Sequence, residues 1–158
     1  MPKITNCLWF DTQAEEAAAF YCSVFPNSKI TKVARYPDSM GGGRAGTVMT
    51  VEFELDGRPF LGLNGGPEFK FDEAISLMID CQDQAEVDRY WEALLAGGGR
   101  ESQCGWLTDR YGLSWQVVPR RLLELTTGPD RDAANRVFAA MMHMVKIDIA
   151  KLEEAAAG

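Results

Sequence analysis

The 158-residue sequence holds one histidine, His143, and four cysteines with no CxxC spacing among them. This removes the paired thiolates and imidazoles from which zinc knuckles are built. Cys7, Cys22, Cys81 and Cys104 are then expected to be small core residues. Sixteen basic residues face 23 acidic ones, for a net charge of −7. With no basic stripe, no nucleic-acid partner is expected. No apolar run approaches the roughly 18 residues of a membrane helix. The opening MPKITNCLWF lacks the charged region and apolar stretch of a secretory signal. No GxSxG elbow is present. A cytoplasmic chain with reduced thiols and no membrane partner is the expectation.

What is present is a repeated order of elements. Ile4 to Phe10 alternates as a strand, with Ile4, Leu8 and Phe10 on one face and Thr5, Cys7 and Trp9 on the other. The next segment, DTQAEEAAAFYCSVF, places Ala17, Phe20, Tyr21 and Val24 at the spacing of a half-buried helix. Pro26-Asn27 stops it. Residues 28–36 read as a strand and PDSMGGGRAG as a loop. Residues 47–55 and 59–64 flank Asp56-Gly57, a strong hairpin signal.

The pattern then begins again. Residues 74–81 alternate, with Ile75, Leu77, Ile79 and Cys81 apolar. A helix follows, carrying Val87, Tyr90, Trp91 and Leu94, with glycines as its stop. Residues 103–108 and 113–118 flank DRYG. One strand of this second half is expected to be short or missing near Arg100–Ser102. The tripeptide QAE recurs at 13–15 and 84–86, an offset of 71, which sets Thr5 over Ser76 and Phe20 over Trp91. Beyond residue 120 the chain reads as helices. Their apolar residues, Val137, Phe138, Met141, Met142, Met144, Val145, Ile147 and Ile149, need a cover. Either the open side of the sheet or a second copy of the chain could supply it.

The segments CLWFD…AEEAAAFY, LDGRPFLGLNGGP, DQAEVDRYWEAL and CGWLTDRYGLSWQVVP resemble the PhnB-like branch of the vicinal oxygen chelate superfamily. That superfamily includes glyoxalase I, extradiol dioxygenases and bleomycin-resistance proteins. The resemblance runs over residues 3–156. It implies an α+β fold of two paired βαβββ modules whose sheets curl around a cavity, usually in a homodimer. As one glyoxalase-like domain over 1–158, module 1 covers about 3–65, module 2 about 74–118, and C-terminal helices 120–157. Many relatives carry the description 3-demethylubiquinone-9 3-methyltransferase. The common S-adenosylmethionine fold needs a glycine-rich turn from a parallel strand into a helix. Here GGG at 41–43 lies between two strands of antiparallel type, and GGG at 97–99 ends a helix, so methyl transfer is not expected.

The resemblance also implies where a divalent metal would be held. Its ligand positions fall on Thr5 or Asn6, on Ser76, on Gln116 (four residues after Gly112), and near Leu61 to Asn64. These side chains are neutral, whereas tight transition-metal sites use imidazole, thiolate or carboxylate. No metal and no cofactor are therefore expected. In relatives a histidine often stands where this chain has Glu68, and a proline where it has Asn6.

Strand alternation assigns the cavity lining. Thr5, Cys7 and Trp9 come from the first strand, and Phe60, Gly62 and Asn64 from the fourth. Ser76, Met78 and Asp80 follow from the fifth, and Ser114, Gln116 and Val118 from the last, with Trp106 on the adjoining strand. Trp9, Trp106, Gln116 and Ser76 are expected to line one cavity. Asp80 reads either as a base or as a solvated acid at a strand end. Gly65-Gly66-Pro67 leaves a strand rather than entering a helix, so it reads as a connecting turn, with Glu68 at its rim. Substrate-binding candidates are thus Thr5, Cys7, Trp9, Asn64, Glu68, Ser76, Met78, Trp106 and Gln116. The leading expectation is a metal-independent small-molecule binding protein acting as a homodimer. A metal-dependent lyase or dioxygenase and a structural dimer with a vestigial pocket are the alternatives.

Overall fold

The computed structural model describes residues 3–158. They fall into two compact units, the first ending at Lys70 and the second running from Phe71 to Gly158. Together they form an α+β fold of two four-stranded mixed sheets and five helices, as the repeated order predicts.

The first unit is β1 (Asn6–Phe10), α1 (Ala14–Val24), β2 (Lys29–Arg35), β3 (Val48–Leu55) and β4 (Arg58–Asn64). Its sheet order is β1-β4-β3-β2, with β1 parallel to β4 and the other pairs antiparallel. Asp56 and Gly57 both take positive φ, 49° and 79°, as the two-residue hairpin between β3 and β4 requires. Ala14, Ala17, Ala18 and Tyr21 bury one face of α1. Leu8, Phe10, Val51, Phe53 and Phe60 supply the buried residues of the strands.

The second unit repeats the plan with β5 (Ser76–Cys81), α2 (Gln84–Leu95), β6 (Arg100–Glu101), β7 (Trp106–Thr108) and β8 (Ser114–Pro119). Its order, β5-β8-β7-β6, matches the first, and β5 runs parallel to β8. The strand expected to be short is the two-residue β6. Ile79, Cys81, Leu107, Trp115 and Val117 are buried together with Val87, Tyr90, Trp91 and Leu94 of α2.

Of the four cysteines expected in the core, Cys81 is buried, Cys22 and Cys104 are half-buried and Cys7 is exposed. Three expectations about the strands and helices also need correction. Ile4 and Ile75 precede their strands and are 85% and 63% exposed, so neither joins the core face. The repeat offset of 71 holds for the strands, where Leu8 and Phe10 match Ile79 and Cys81 in burial. In the helices it slips by one, since the buried Ala17 and Tyr21 match Val87 and Trp91. Tyr21, not Phe20, is thus the counterpart of Trp91. The cause is the connection, which has three residues between Phe10 and Ala14 but two between Cys81 and Gln84.

The third correction concerns β4. The parallel register pairs Cys7 with Leu61 and Trp9 with Leu63, and Leu8 with Gly62. Leu61 and Leu63 therefore share the face of Cys7 and Trp9. Phe60, Gly62 and Asn64 turn toward α1 instead. A Cβ on Gly62 would lie 3.2 Å from that of Ala14.

Three further helices complete the second unit: α3 (Arg120–Thr126), α4 (Arg131–Met141) and α5 (Ile149–Ala157). Val118, Leu122, Val137, Met144, Ile147 and Leu152 form their own core. Much of the C-terminal apolar surface is thus covered from within, leaving Phe138 and Met142 among the exposed large residues. The side chain of Gln84 clamps α5 to α2. Its Nε2 donates to Ile147 O at 3.0 Å, and its Oε1 accepts from Ile149 N at 2.8 Å. Arg136 donates to the Ala155 and Ala156 carbonyls at the C-terminal end of α5, where partial negative charge gathers.

Candidate functional site

In the second unit, strand register gathers five of the expected lining residues on the sheet face turned away from α2. Ser76 pairs with Ser114, Met78 with Gln116, and Gln116 with Trp106. Paired residues point the same way, so Ser76, Met78, Ser114, Gln116 and Trp106 share that face. Gln116 Nε2 donates to Ser76 Oγ at 2.9 Å. Ser114 is 1% exposed, and its Oγ has no hydrogen-bond partner. A buried hydroxyl without a partner costs about 1–3 kcal/mol, which singles out Ser114 among the polar groups of this face. Met78 is 58% exposed, which puts a thioether beside these polar groups.

Asp80 and Val118 end the row differently from expectation. The Asp80 carboxylate accepts from Arg120 Nη2 at 2.8 Å and from Nε at 3.3 Å. Both partners are more than half exposed. This is the solvated strand-end reading, with a cation added. Val118 joins the core of the C-terminal helices.

In the first unit, Cys7 and Trp9 share the face away from α1 with Leu61 and Leu63. The protein around the Cys7 sulfur pushes its thiol pKa up, which favours the neutral form. The Trp9 indole is fixed on three sides. A Cβ on Gly65 would fall 2.4 Å from the indole, so only glycine admits the ring there. Trp9 Nε1 donates to Gly66 O at 2.9 Å, and the ring meets Phe69 edge-on at 4.9 Å. The glycine pair is therefore a seat for an aromatic ring as well as a turn.

Asn64 is not with Cys7 and Trp9. Its Oδ1 accepts from Ala14 N at 2.8 Å, and its Nδ2 donates to Val48 O at 3.1 Å. It supplies the cap that Gln13 does not give α1. Thr5 precedes β1 and is exposed. Glu68 follows β4, where its carboxylate and the Arg44 guanidinium both lie close to Gly66.

A cleft of about 580 Å³ opens in the first unit, lined in part by Asp11, Glu15, Tyr36, Arg44 and Asn64. Sequence reading missed Tyr36 and Arg44. The arginine in GGGR was the available signal, but a loop residue carries no periodicity to place it. Tyr36 OH donates to Asn64 O, and Arg44 stands over the Tyr36 ring at 5.7 Å.

The positions at which the resemblance places a metal do not fit one. Leu61 and Leu63 offer no donor, Asn64 is engaged with Ala14 and Val48, and Thr5, Asn6, Ser76 and Gln116 offer neutral oxygens, with Ser76 and Gln116 already bonded to each other. Among the described residues, no three His, Cys, Asp or Glu side chains converge on a point.

The family described as 3-demethylubiquinone-9 3-methyltransferase matches residues 2–118. The PhnB protein from Bacillus cereus is similar at 36% identity, over 75% of this chain and 99% of its own, with a TM-score of 0.67. Protein PA1353 from Pseudomonas aeruginosa shares 20% identity over 75% of this chain and 98% of its own, with a TM-score of 0.62. The fosfomycin resistance protein FosX from Listeria monocytogenes, solved with Mn(II) and sulfate, shares the fold at 15% identity and a TM-score of 0.50. That match covers 73% of this chain and 88% of FosX. No match emerges among curated proteins.

Proposed function

We propose a function from one premise: this chain belongs to the family described as 3-demethylubiquinone-9 3-methyltransferase, with the glyoxalase-like fold of the vicinal oxygen chelate superfamily. The protein binds a small molecule without a metal, on the face of the second sheet that carries Ser76, Ser114, Gln116, Met78 and Trp106. The observation that supports this reading is the buried Ser114 hydroxyl, which has no protein partner and stands beside a bonded Ser–Gln pair. A few fixed polar groups among apolar and aromatic side chains are the usual make-up of a small-molecule site. The ligand is therefore partly apolar, with one polar group that Gln116 and Ser114 orient.

The family description does not carry methyl transfer to this chain. GGG at 41–43 lies in the loop between β2 and β3, and GGG at 97–99 follows the end of α2. Neither is a turn from a parallel strand into a helix, the place where a nucleotide-type cofactor meets a glycine-rich loop. The same reading takes the protein as a cytoplasmic homodimer. No helix among the described residues is long and apolar enough to cross a membrane.

A melting-shift screen over a metabolite panel tests the binding reading. Binding to the native state alone adds about 2.7 kcal/mol at a hundredfold excess over Kd. Gln116→Leu should keep the fold and weaken each hit by about 1–3 kcal/mol, the cost of an unpaired polar group. A hit that binds Gln116→Leu and Ser114→Ala as well as the parent would move the site elsewhere.

A further inference from the structure

A second pair of donor atoms lies outside that face. Cys104 Sγ stands 3.9 Å from Met142 Sδ. The two residues come from separate segments, the loop before β7 and the turn after α4. Backbone bonds fasten these segments together, Cys104 N to Met144 O at 2.8 Å and Gly105 N to Val145 O at 2.7 Å. The sulfur pair is therefore preorganised rather than a chance meeting of loose side chains.

Two details distinguish this pair from ordinary packing. Met142 is 50% exposed, while Met144 belongs to the C-terminal core and Met141 packs on it. One thioether of this Met-rich turn is thus presented to solvent. Cys104 also holds a positive φ of 60°, a conformation uncommon in non-glycine residues that persists only where the surroundings enforce it.

We infer that Cys104 and Met142 form a binding site for a soft monovalent metal ion, Cu(I) or its analogue Ag(I). Two sulfurs 3.9 Å apart, each about 2.3 Å from a shared ion, subtend roughly 115° at it. That is close to the trigonal angle and leaves a third position open to a small exogenous donor. Thiolate and thioether together favour Cu(I) over the harder divalent ions. The Cys104 thiol gives its proton to solvent as the metal–sulfur bond forms, so affinity falls as pH is lowered. The site uses none of the strand positions at which relatives are expected to hold a metal, and it stands or falls independently of the proposed small-molecule face.

The test uses the full chain, reduced and without oxygen. Cys7→Ser and Cys22→Ala remove the other accessible thiols, Cys81 being buried. Titration with Cu(I) against bicinchoninate should give one ion per chain. Met142→Leu should weaken it at least about tenfold and Cys104→Ser at least about a hundredfold, the scale on which loss of metal-site partners is felt. In the unsubstituted chain, Ag(I) should shift the Met142 methyl resonance, a readout that does not depend on the variants folding. Full affinity in Met142→Leu or Cys104→Ser, Zn(II) bound as tightly as Cu(I), or an unmoved Met142 methyl would each overturn the assignment.

Discussion

The Asp109 carboxylate joins the β7–β8 turn to the core through Trp115. Its Oδ2 accepts the indole N–H at 2.8 Å, while Oδ1 accepts from Tyr111 N at 2.8 Å and Leu113 N at 3.1 Å. Both Asp109 and Trp115 are buried. One acid thus satisfies two turn amides and one ring donor inside the protein.

Asp109→Ala should cost about 3 kcal/mol or more, since it removes the carboxylate that accepts from three donors, two of them in buried bonds. Asp109→Asn keeps one acceptor oxygen and should cost less. Urea unfolding of the two variants checks the order, and equal costs would show that the acceptor oxygens do not matter.

Gly65→Ala should destabilise by about 1–3 kcal/mol, the range for overpacking, because the new methyl would collide with the Trp9 ring. In a Trp9→Leu background the penalty should shrink. A double-mutant cycle in urea, followed by near-UV circular dichroism, measures the coupling.

Asn64→Ala should cost about 2 kcal/mol through loss of a helix cap and of the bond to Val48. A metabolite that shifts the parent's melting should shift this variant equally. A selective loss of binding would return Asn64 to the ligand site.

Burial first, then the Glu86 and Asp80 carboxylates, push the Cys81 thiol from 9.0 up to about 12. Below pH 9 both folded and unfolded chains keep this proton, so its contribution is constant. Between pH 9 and about 12 the unfolded chain loses a proton that the native state holds, so stability falls as pH rises. Cys81→Ala should flatten that part of the alkaline decline in unfolding measured from pH 8 to 11. An unchanged slope would show that Cys81 is not buried as described.

The repeated β-α-β-β-β order, the Asp56-Gly57 hairpin and the short β6 were legible because periodicity and turn chemistry are local. The face of β4 was not. Alternation says that Leu61 and Leu63 share one side and Phe60, Gly62 and Asn64 the other, but it does not say which side meets the helix. Leucines look like core and asparagine like lining, and here the assignment is reversed. The parallel register with β1 decides it, and that pairing joins residues more than fifty positions apart. The helix slip was hidden likewise, because QAE repeats one residue out of step with the buried stripe. Ser76, Met78, Trp106 and Gln116 share one face by the strand registers, a relation that the period of two in β5, β7 and β8 already implies.

The cap on α1 has a consequence for synthesis. In the second unit, α2 is capped by Asp83, which bonds the amide of Glu86 three residues on. That first turn can close as soon as its own residues are made. The first turn of α1 instead takes its acceptor from Asn64, fifty residues after Ala14. Closing so long a loop is entropically costly until strand pairing has already brought β4 to β1. The N-terminal unit, although it leaves the ribosome first, therefore gains this cap on α1 only once β4 has been made.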